Sequence, residues 1–539
     1  MPIISVFSTD QVRQLDAAAN AAGLGQTLMR VAGEALCAKV LELLRQGSLE
    51  SPVMLRPNRR TKWPEGWRTR SVLIFAGRGN NGGDGVALAA QLSEQKQPYD
   101  LILLHPAEEF RGEAKTIWES YQASGGQATV LTSLESLSKM PSDRYGLIVD
   151  AMTGSGLKGP LQGLAVDVAK WIADQRFPVL SVDAPSGASA LEEHPTAPHV
   201  VADWTLLMGF ARMEGTREIP GEAYGQWTVA PLPYPQNLVQ QFQDENSVLC
   251  ITPSCLKDRL PPRHPWGDKR AQGVLCVVAG SRGMTGSAAL CSQTALRAGA
   301  GMVHLACPTA ELPTLGACLK EVVLHPQDSA NGSFLASALS GILRLLTQSQ
   351  ACCVGPGLST ASESQSLVRQ LVLDAQVPLI IDADGLNAFR GYAAMLRGLK
   401  HTAVLTPHDR EWERLFRSPP GTGTARIAAV RAQAKEFSCV IVLKGTPTLV
   451  ATPAGKVWML PTANSGLAKA GSGDVLAGII ASLRAQGASA EDAALAGVWL
   501  HARAGLFGAE SLGERSLLPS DLWQWLPQAF QSLSLLNLV

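Results

Sequence analysis

The chain has 539 residues, more than one ordinary core encloses, so two or more domains are expected. Lys plus Arg and Asp plus Glu are each 46, and a formal charge of zero removes any electrostatic reason to expect nucleic acid or an anionic membrane as partner. With 46% hydrophobic and 17% charged residues, the composition fits globular domains and excludes disorder.

No apolar run reaches the ~18–20 residues that span a bilayer. The opening MPIISVFSTDQVRQLD lacks the basic-then-apolar order of a secretory signal, so a cytoplasmic location is expected. The ten cysteines are scattered, without C-x-x-C or Cys/His pairs at zinc spacing. They read as reduced, buried thiols.

In chain order, STDQVRQLDAAAN opens a helix that Ser8 or Thr9 could cap, and a second helix follows over about 27–44. Residues 51–70, rich in Pro, Arg and Lys and without periodicity, read as an exposed insert. From residue 71, apolar strands alternate with amphipathic helices: 71–75, 100–104, 128–132, 146–150, 178–183 and 203–208. Strands apolar throughout indicate a parallel sheet covered on both faces. The polar, proline-bearing stretch 231–247 reads as a linker. A second strand–helix series follows at 273–281, 351–357, 378–385, 403–408 and 439–445. The expected organisation is an α/β domain over 1–235, a linker over 236–250 and a second α/β domain over 251–539.

Active groups in such sheets gather beyond the carboxyl ends of the strands. Three polar clusters fall there in the first half: GRGNNGGDG (77–85), DAMTGSGLKGP (150–160) and VDAPSG (182–187). Gly77, Gly79 and Gly82 fit G-x-G-x-x-G, a weak dinucleotide signal. The acid expected about 20 residues on is missing as a clear feature, which disfavours a standard dinucleotide site.

These three clusters, in this order, resemble the N-terminal domain of the YjeF-type NAD(P)H-hydrate epimerases over about residues 8–230. The resemblance implies a Rossmann-like three-layer domain. It implies hydrate contacts at Asn80, Asn81, Gly82, Gly83 and Asp84, at Gly154, Ser155, Gly156, Leu157, Lys158, Gly159 and Pro160, and at Asp183. It also implies a potassium ion held by Asn81, Asp150 and Ser186. Amide, carboxylate and hydroxyl oxygens are hard ligands suited to such a cation. Asp183, at a strand end, is the candidate acid/base for interconverting the epimers. Ala184 stands where the family has a bulkier apolar residue.

In the second half, NSGLAKAGSGDVLAGII (464–480) carries the most chemistry. Gly471, Ser472 and Gly473 would present N–H groups to a transferring phosphoryl at a helix N-terminus. Asp474 could take the proton of an attacking hydroxyl, and Lys444 could pair with nucleotide phosphates.

With GSRGMTGSAA, GPGL, DADGLN, TPHDREWERL and KGTPT ahead of it, this stretch resembles the ribokinase-like ADP-dependent NAD(P)H-hydrate dehydratases over about 255–530. The resemblance implies hydrate contacts at Ser287, Gly357 and His408. It implies adenine-nucleotide contacts at Lys444, Gly445, Thr446, Pro447, Thr448 and Gly473, with Asp474 activating the hydrate hydroxyl. Mg2+ and ADP as phosphoryl donor come with it, the substrates being NADH and NADPH hydrates; such relatives are commonly homo-oligomers. The family often has Ala at Ser287, and often His-Lys where Asp268-Lys269 stand. Two other readings are open at this point. One is a ribokinase-like vitamin kinase with a regulatory first domain; the other makes the first half a binding module only.

Overall fold

The computed structural model describes all residues except 1–4, 46–64, 141, 155, 192, 214–222, 244–246, 257, 264, 461, 463 and 535–539. Most of the 51–70 insert, and Ser155, lie outside the described residues. The chain divides into two compact units, Ser5–Asp244 and Glu245–Val539.

The first unit opens with β1 (Ser5–Phe7) and the helix Thr9–Ala21, where Ser8 and Gln11 form a reciprocal capping box. Its sheet comprises β2 (Ser71–Ala76), β3 (Tyr99–Leu103), β4 (Thr129–Val130), β5 (Tyr145–Ala151), β6 (Val179–Val182), β7 (Trp204–Met208) and β9 (Gln226–Ala230). The two-residue β8 (Ala211–Arg212) pairs with β1 instead. The sheet order is β4-β3-β2-β5-β6-β7-β9, parallel throughout.

Successive residues of β2 alternate between two cores. Val72, Ile74 and Ala76 join one cluster, Leu73 and Phe75 the other. Each face of the sheet therefore carries its own helical layer, which is why these strands are apolar throughout. The order reverses between β2 and β5, so the loops after those strands flank a switch point, where open α/β sheets form ligand crevices.

The second unit contains β10 (Val248–Cys250), β11 (Val274–Val278), β12 (Met302–Pro308), β13 (Val323–Gln327), a small hairpin of β14 (Ser329–Ala330) and β15 (Ser333–Phe334), β16 (Ala351–Val354), β17 (Leu379–Ile381), β18 (Val404–Leu405), β19 (Val440–Leu443), β20 (Thr448–Ala451) and β21 (Val457–Leu460). Its order is β13-β12-β11-β16-β17-β18-β19-β20-β21-β10. The pairs from β13 through β19 are parallel; β20 is antiparallel to both neighbours. Here the order reverses between β11 and β16.

The stretch read as a linker carries a helix, Gln236–Gln241. Val239 and Phe242 pack against Phe7, Val12, Leu15 and Phe210, which ties this segment into the first unit. All ten cysteines are free thiols, and of these Cys318 is exposed. Among the described residues no helix is long and apolar enough to cross a membrane.

Candidate active sites

At the switch point of the first unit, a cavity of about 980 Å3 opens beyond the strand ends. Its walls include Asn80, Asn81, Asp84, Gly154, Gly156, Leu157, Lys158, Pro160 and Asp183 among the expected residues. They also include Asp16, Arg212 and Tyr234, to which the sequence reading gave no role. Gly82, Gly83 and Gly159 are not part of the wall.

The glycines of NNGGD have a packing cause. The helix begins at Asn80, so both lie inside its first turns. A Cβ on Gly82 would come 1.7 Å from the Gly77 carbonyl oxygen, and one on Gly83 would press on Met29 and Ala114. They let the turn and neighbouring helices close up, whereas the expectation had them facing the hydrate.

Asp183 follows β6 with φ of 61°, a conformation that costs a non-glycine residue energy and is commonest at functional sites. Its Oδ1 receives Arg212 Nη2 at 2.6 Å and the Met208 N–H at 3.3 Å. Both side chains of this ion pair are buried. A Cβ on Gly154 would lie 3.0 Å from Asn81 Oδ1 and 3.2 Å from Asp183 Oδ2, so the Gly154 loop, Asn81 and Asp183 converge on one spot. Asp84 is half-buried in the same wall. Burial first, then the charges of Asp183 and Asp16, push its carboxyl well above the usual range.

Asp150, expected among the potassium ligands, is fully buried and engaged. Oδ1 accepts from Ser186 Oγ at 2.5 Å and the Met152 N–H at 3.3 Å. Oδ2 accepts from Ser181 Oγ at 2.9 Å and the Ser186 N–H at 2.8 Å. Burial raises its pKa, and those hydrogen bonds work against the rise. Its visible work is to join β5, β6 and the Ser186 loop. Ser186 Oγ in turn accepts the Thr153 N–H at 2.9 Å. Next to this network, both side-chain polar atoms of Asn81 and the Thr153 hydroxyl are buried without a hydrogen-bond partner.

In the second unit, the helix Ser472–Ala485 starts after Gly471, which has φ of 96°. The Ser472 N–H turns back to the Lys469 carbonyl at 3.2 Å. The expectation had this N–H facing a phosphoryl; it is engaged instead, and the first-turn donors left to consider begin at Gly473. Asp474 is buried, and its carboxyl is pushed up to about 7, chiefly by burial and next by Asp382. The Ser287 side chain hydrogen-bonds to it. Gly357 packs on Ser287, because a Cβ there would lie 3.0 Å from the Ser287 Cβ. Ser287, Gly357 and Asp474 are thereby brought together.

Lys444 ends β19 and points at two acids that the sequence reading passed over: Asp382 Oδ1 at 2.8 Å and Glu411 Oε2 at 3.5 Å. A Cβ on Gly473 would lie 3.3 Å from Lys444 Nζ, so the lysine faces the helix N-terminus. Thr448 Oγ1 closes the following loop on the Gly445 carbonyl at 2.8 Å, leaving Gly445 and Thr446 exposed. His408 caps the helix Asp409–Phe416 through Nδ1, which accepts the Arg410 and Glu411 N–H groups. Its ring is about half exposed, and Nε2 lies 3.4 Å from Glu411 Oε1. Asp382 had a signal of its own: it follows the apolar run of β17, at a strand end.

A strand-end cavity rich in carboxylates in one unit and a buried acid at a helix N-terminus in the other define a two-site α/β enzyme. Residues 25–213 match the family described as YjeF-related protein N-terminus, and residues 275–528 the family described as NAD(P)H-hydrate dehydratase. The chain is 35% identical over 472 residues to the bifunctional NAD(P)H-hydrate repair enzyme Nnr of Moorella thermoacetica, across 86% of this chain and 88% of that one. It is 34% identical over 468 residues to the enzyme of the same name from Thermofilum pendens, with the same coverage. Among solved structures, the ADP/ATP-dependent NAD(P)H-hydrate dehydratase of Bacillus subtilis co-crystallized with ATP/Mg2+ is 27% identical; it covers 53% of this chain and 98% of that one, with a TM-score of 0.44. The chain belongs to the bifunctional NAD(P)H-hydrate repair enzymes. That membership sets aside the vitamin-kinase reading.

Proposed function

We propose that the first unit interconverts the R and S hydrates of NADH and NADPH, and that the second restores the S form to NAD(P)H. It does so at the expense of ADP, giving AMP and phosphate. The observation that carries this is the placing of one carboxylate, Asp183 or Asp474, at the ligand end of each sheet, among groups suited to a nucleotide.

In the second unit Asp474 takes the proton of the hydrate hydroxyl as that oxygen attacks the terminal phosphoryl of ADP. The N–H groups from Gly473 onward and Lys444 stabilise the charge on the phosphoryl oxygens. His408, Ser287 and Gly357 hold the hydrate, and Lys444–Thr448 the nucleotide. Phosphate then leaves where hydroxide would leave poorly, and the ring nitrogen's electron pair drives it out. Among the described residues no three His, Cys, Asp or Glu side chains gather as a metal site, so Mg2+ fits as an ion carried in on the nucleotide phosphates. Bound there, it neutralises phosphate charge.

In the first unit Asp183 moves the proton of the hydrate hydroxyl. The unpartnered oxygens of Asn81 and Thr153, beside Asp150 and Ser186, fit a potassium ion. Such an ion would supply fixed positive charge, and Asn81 with the Asp150–Ser186 pair would hold it.

The test is to give the purified chain mixed R and S hydrates with ADP, Mg2+ and K+, and to follow the near-ultraviolet absorbance of the reduced ring. Full recovery, R form included, is expected. Recovery of the S fraction alone would overturn the epimerase half, and no recovery would overturn the dehydratase half.

A further inference from the structure

Resting on the epimerase reading above, we infer that Asp16, oriented by Tyr234, is a second proton-transfer residue of the first unit and works as the partner of Asp183. Asp16 lies on the helix Thr9–Ala21 and reaches the same cavity as Asp183 from a separate wall. Tyr234, 218 positions along the chain, also lines the cavity and donates its hydroxyl to Asp16 Oδ1 at 2.5 Å. The same helix packs through Val12, Leu15 and Ala19, not through Asp16.

The chemistry asks for a second group. The hydrated carbon carries a hydroxyl and is bonded to the ring nitrogen. Changing its configuration by exchange of that hydroxyl means that oxygen leaves from one face and arrives at the other. Leaving needs a proton donor, arriving needs an acceptor, and one carboxylate held in an ion pair serves one face. Asp183 is so held, by Arg212.

In one direction Asp16 gives its proton to the departing hydroxyl oxygen. The carbon–oxygen pair leaves with that oxygen as water, and the nitrogen lone pair closes a C=N bond. A second water adds to the other face, and the C=N pair returns to nitrogen as the new C–O bond forms. Asp183 takes the proton of that water. One water is released and one consumed; the proton returns from Asp183 to Asp16 through solvent, and the reverse direction exchanges the roles. A protonated Asp16 suits the donor role: burial raises its pKa, with the Tyr234 hydrogen bond acting against the rise.

The test uses the full chain, and the resistance of its first unit to limited proteolysis reports on folding independently of activity. Asp16→Asn should lower kcat for R-to-S conversion by about 100-fold or more, the scale of acid–base catalysis, with KM within about threefold. Tyr234→Phe should cost about 5–10-fold in kcat. Added to Asp16→Asn it should cost nothing more, because it acts through that residue. Wild-type epimerisation in 18O-water should place the label in the hydrate. An Asp16→Asn enzyme within a few-fold of wild type, additive losses, or unlabelled product would each overturn this inference. A wild-type chain that converts no R hydrate would instead overturn the epimerase reading beneath it.

Discussion

Lys444 Nζ lies 2.8 Å from Asp382 Oδ1, and the two join the ligand ends of β19 and β17. Thr406 Oγ1 donates to the same carboxylate oxygen at 2.7 Å. This pair fixes the lysine that faces the Gly473 end of the helix Ser472–Ala485. Burial alone would lower the lysine's pKa, but Asp382 and Glu411 together raise it. Its charge is therefore secure at neutral pH, and stability from the pair is lost only as pH climbs beyond the ordinary lysine value of 10.5.

Removing one partner of such a pair leaves a buried charge alone, typically at a cost of about 3–5 kcal/mol. Lys444→Met should therefore destabilise the second unit by about that amount in denaturant titrations and abolish dehydration. Adding Asp382→Asn to it should recover much of the stability and none of the activity. A double variant no more stable than Lys444→Met would show that the pair is not the cause.

Asp474 gives a pH prediction. Folded, its carboxyl keeps its proton to about pH 7; unfolded, it releases it near 3.8. The folded state thus binds the proton more tightly, and this residue's contribution worsens as pH rises from about 4 to about 7, by at most ~4 kcal/mol. Asp474→Asn should be more stable than wild type at pH 8 and no more stable at pH 4. As a base the residue must be ionised, so dehydration should fall about tenfold per pH unit below about 7. Asp474→Ala should retain ADP binding without turnover. A flat rate profile from pH 5 to 8, or turnover within a few-fold in Asp474→Ala, would exclude it as the base.

The α/β layers, the parallel strands and the strand-end glycine turns were legible because apolar runs and glycine turns are local signals. β1, β8 and β10 are two or three residues long, too short to show a period. The antiparallel β20 and β21 went unread because each shares its sequence neighbourhood with a motif or loop. Asp183 and Asp474 were visible at a strand end and a helix start. Arg212 was not: it meets Asp183 across 29 positions, and no local pattern announces that contact. The Asp16–Tyr234 bond spans 218 positions and is equally silent. The packing role of Gly82 and Gly83 was hidden for a different reason. A glycine needed for a ligand and one needed for packing look alike in sequence, and only neighbours such as Met29 and Ala114 separate them.

Asn81 supplies a test of the cation. Its buried amide has no hydrogen-bond partner in the protein, a condition that costs about 1–3 kcal/mol. Asn81→Ala should therefore fold at least as stably as wild type in sodium, while losing epimerisation. Potassium should raise the unfolding temperature of the wild-type first unit above its value in sodium, and leave the variant unchanged. Equal melting in both salts for the wild type would count against a potassium site here.

Gly473 separates folding from catalysis in the second unit. It is not in a left-handed conformation, and an added Cβ would meet Lys444 Nζ at 3.3 Å and Asp382 Oδ2 at 3.9 Å. The nearer contact is the tip of a flexible side chain, which can shift by a few tenths of an ångström. In a helix, alanine is favoured over glycine by about 0.5–1 kcal/mol. Gly473→Ala should thus leave the melting temperature equal or slightly higher. The same methyl group, however, occupies the space between the helix N-terminus and Lys444 where the proposed mechanism seats the phosphoryl. Dehydration should fall at least about 100-fold, the scale of losing one such stabilising donor, with hydrate binding little changed. Wild-type turnover in a stably folded Gly473→Ala enzyme would mean that the phosphoryl passes elsewhere, and the roles given to Lys444 and Asp474 would fall with it.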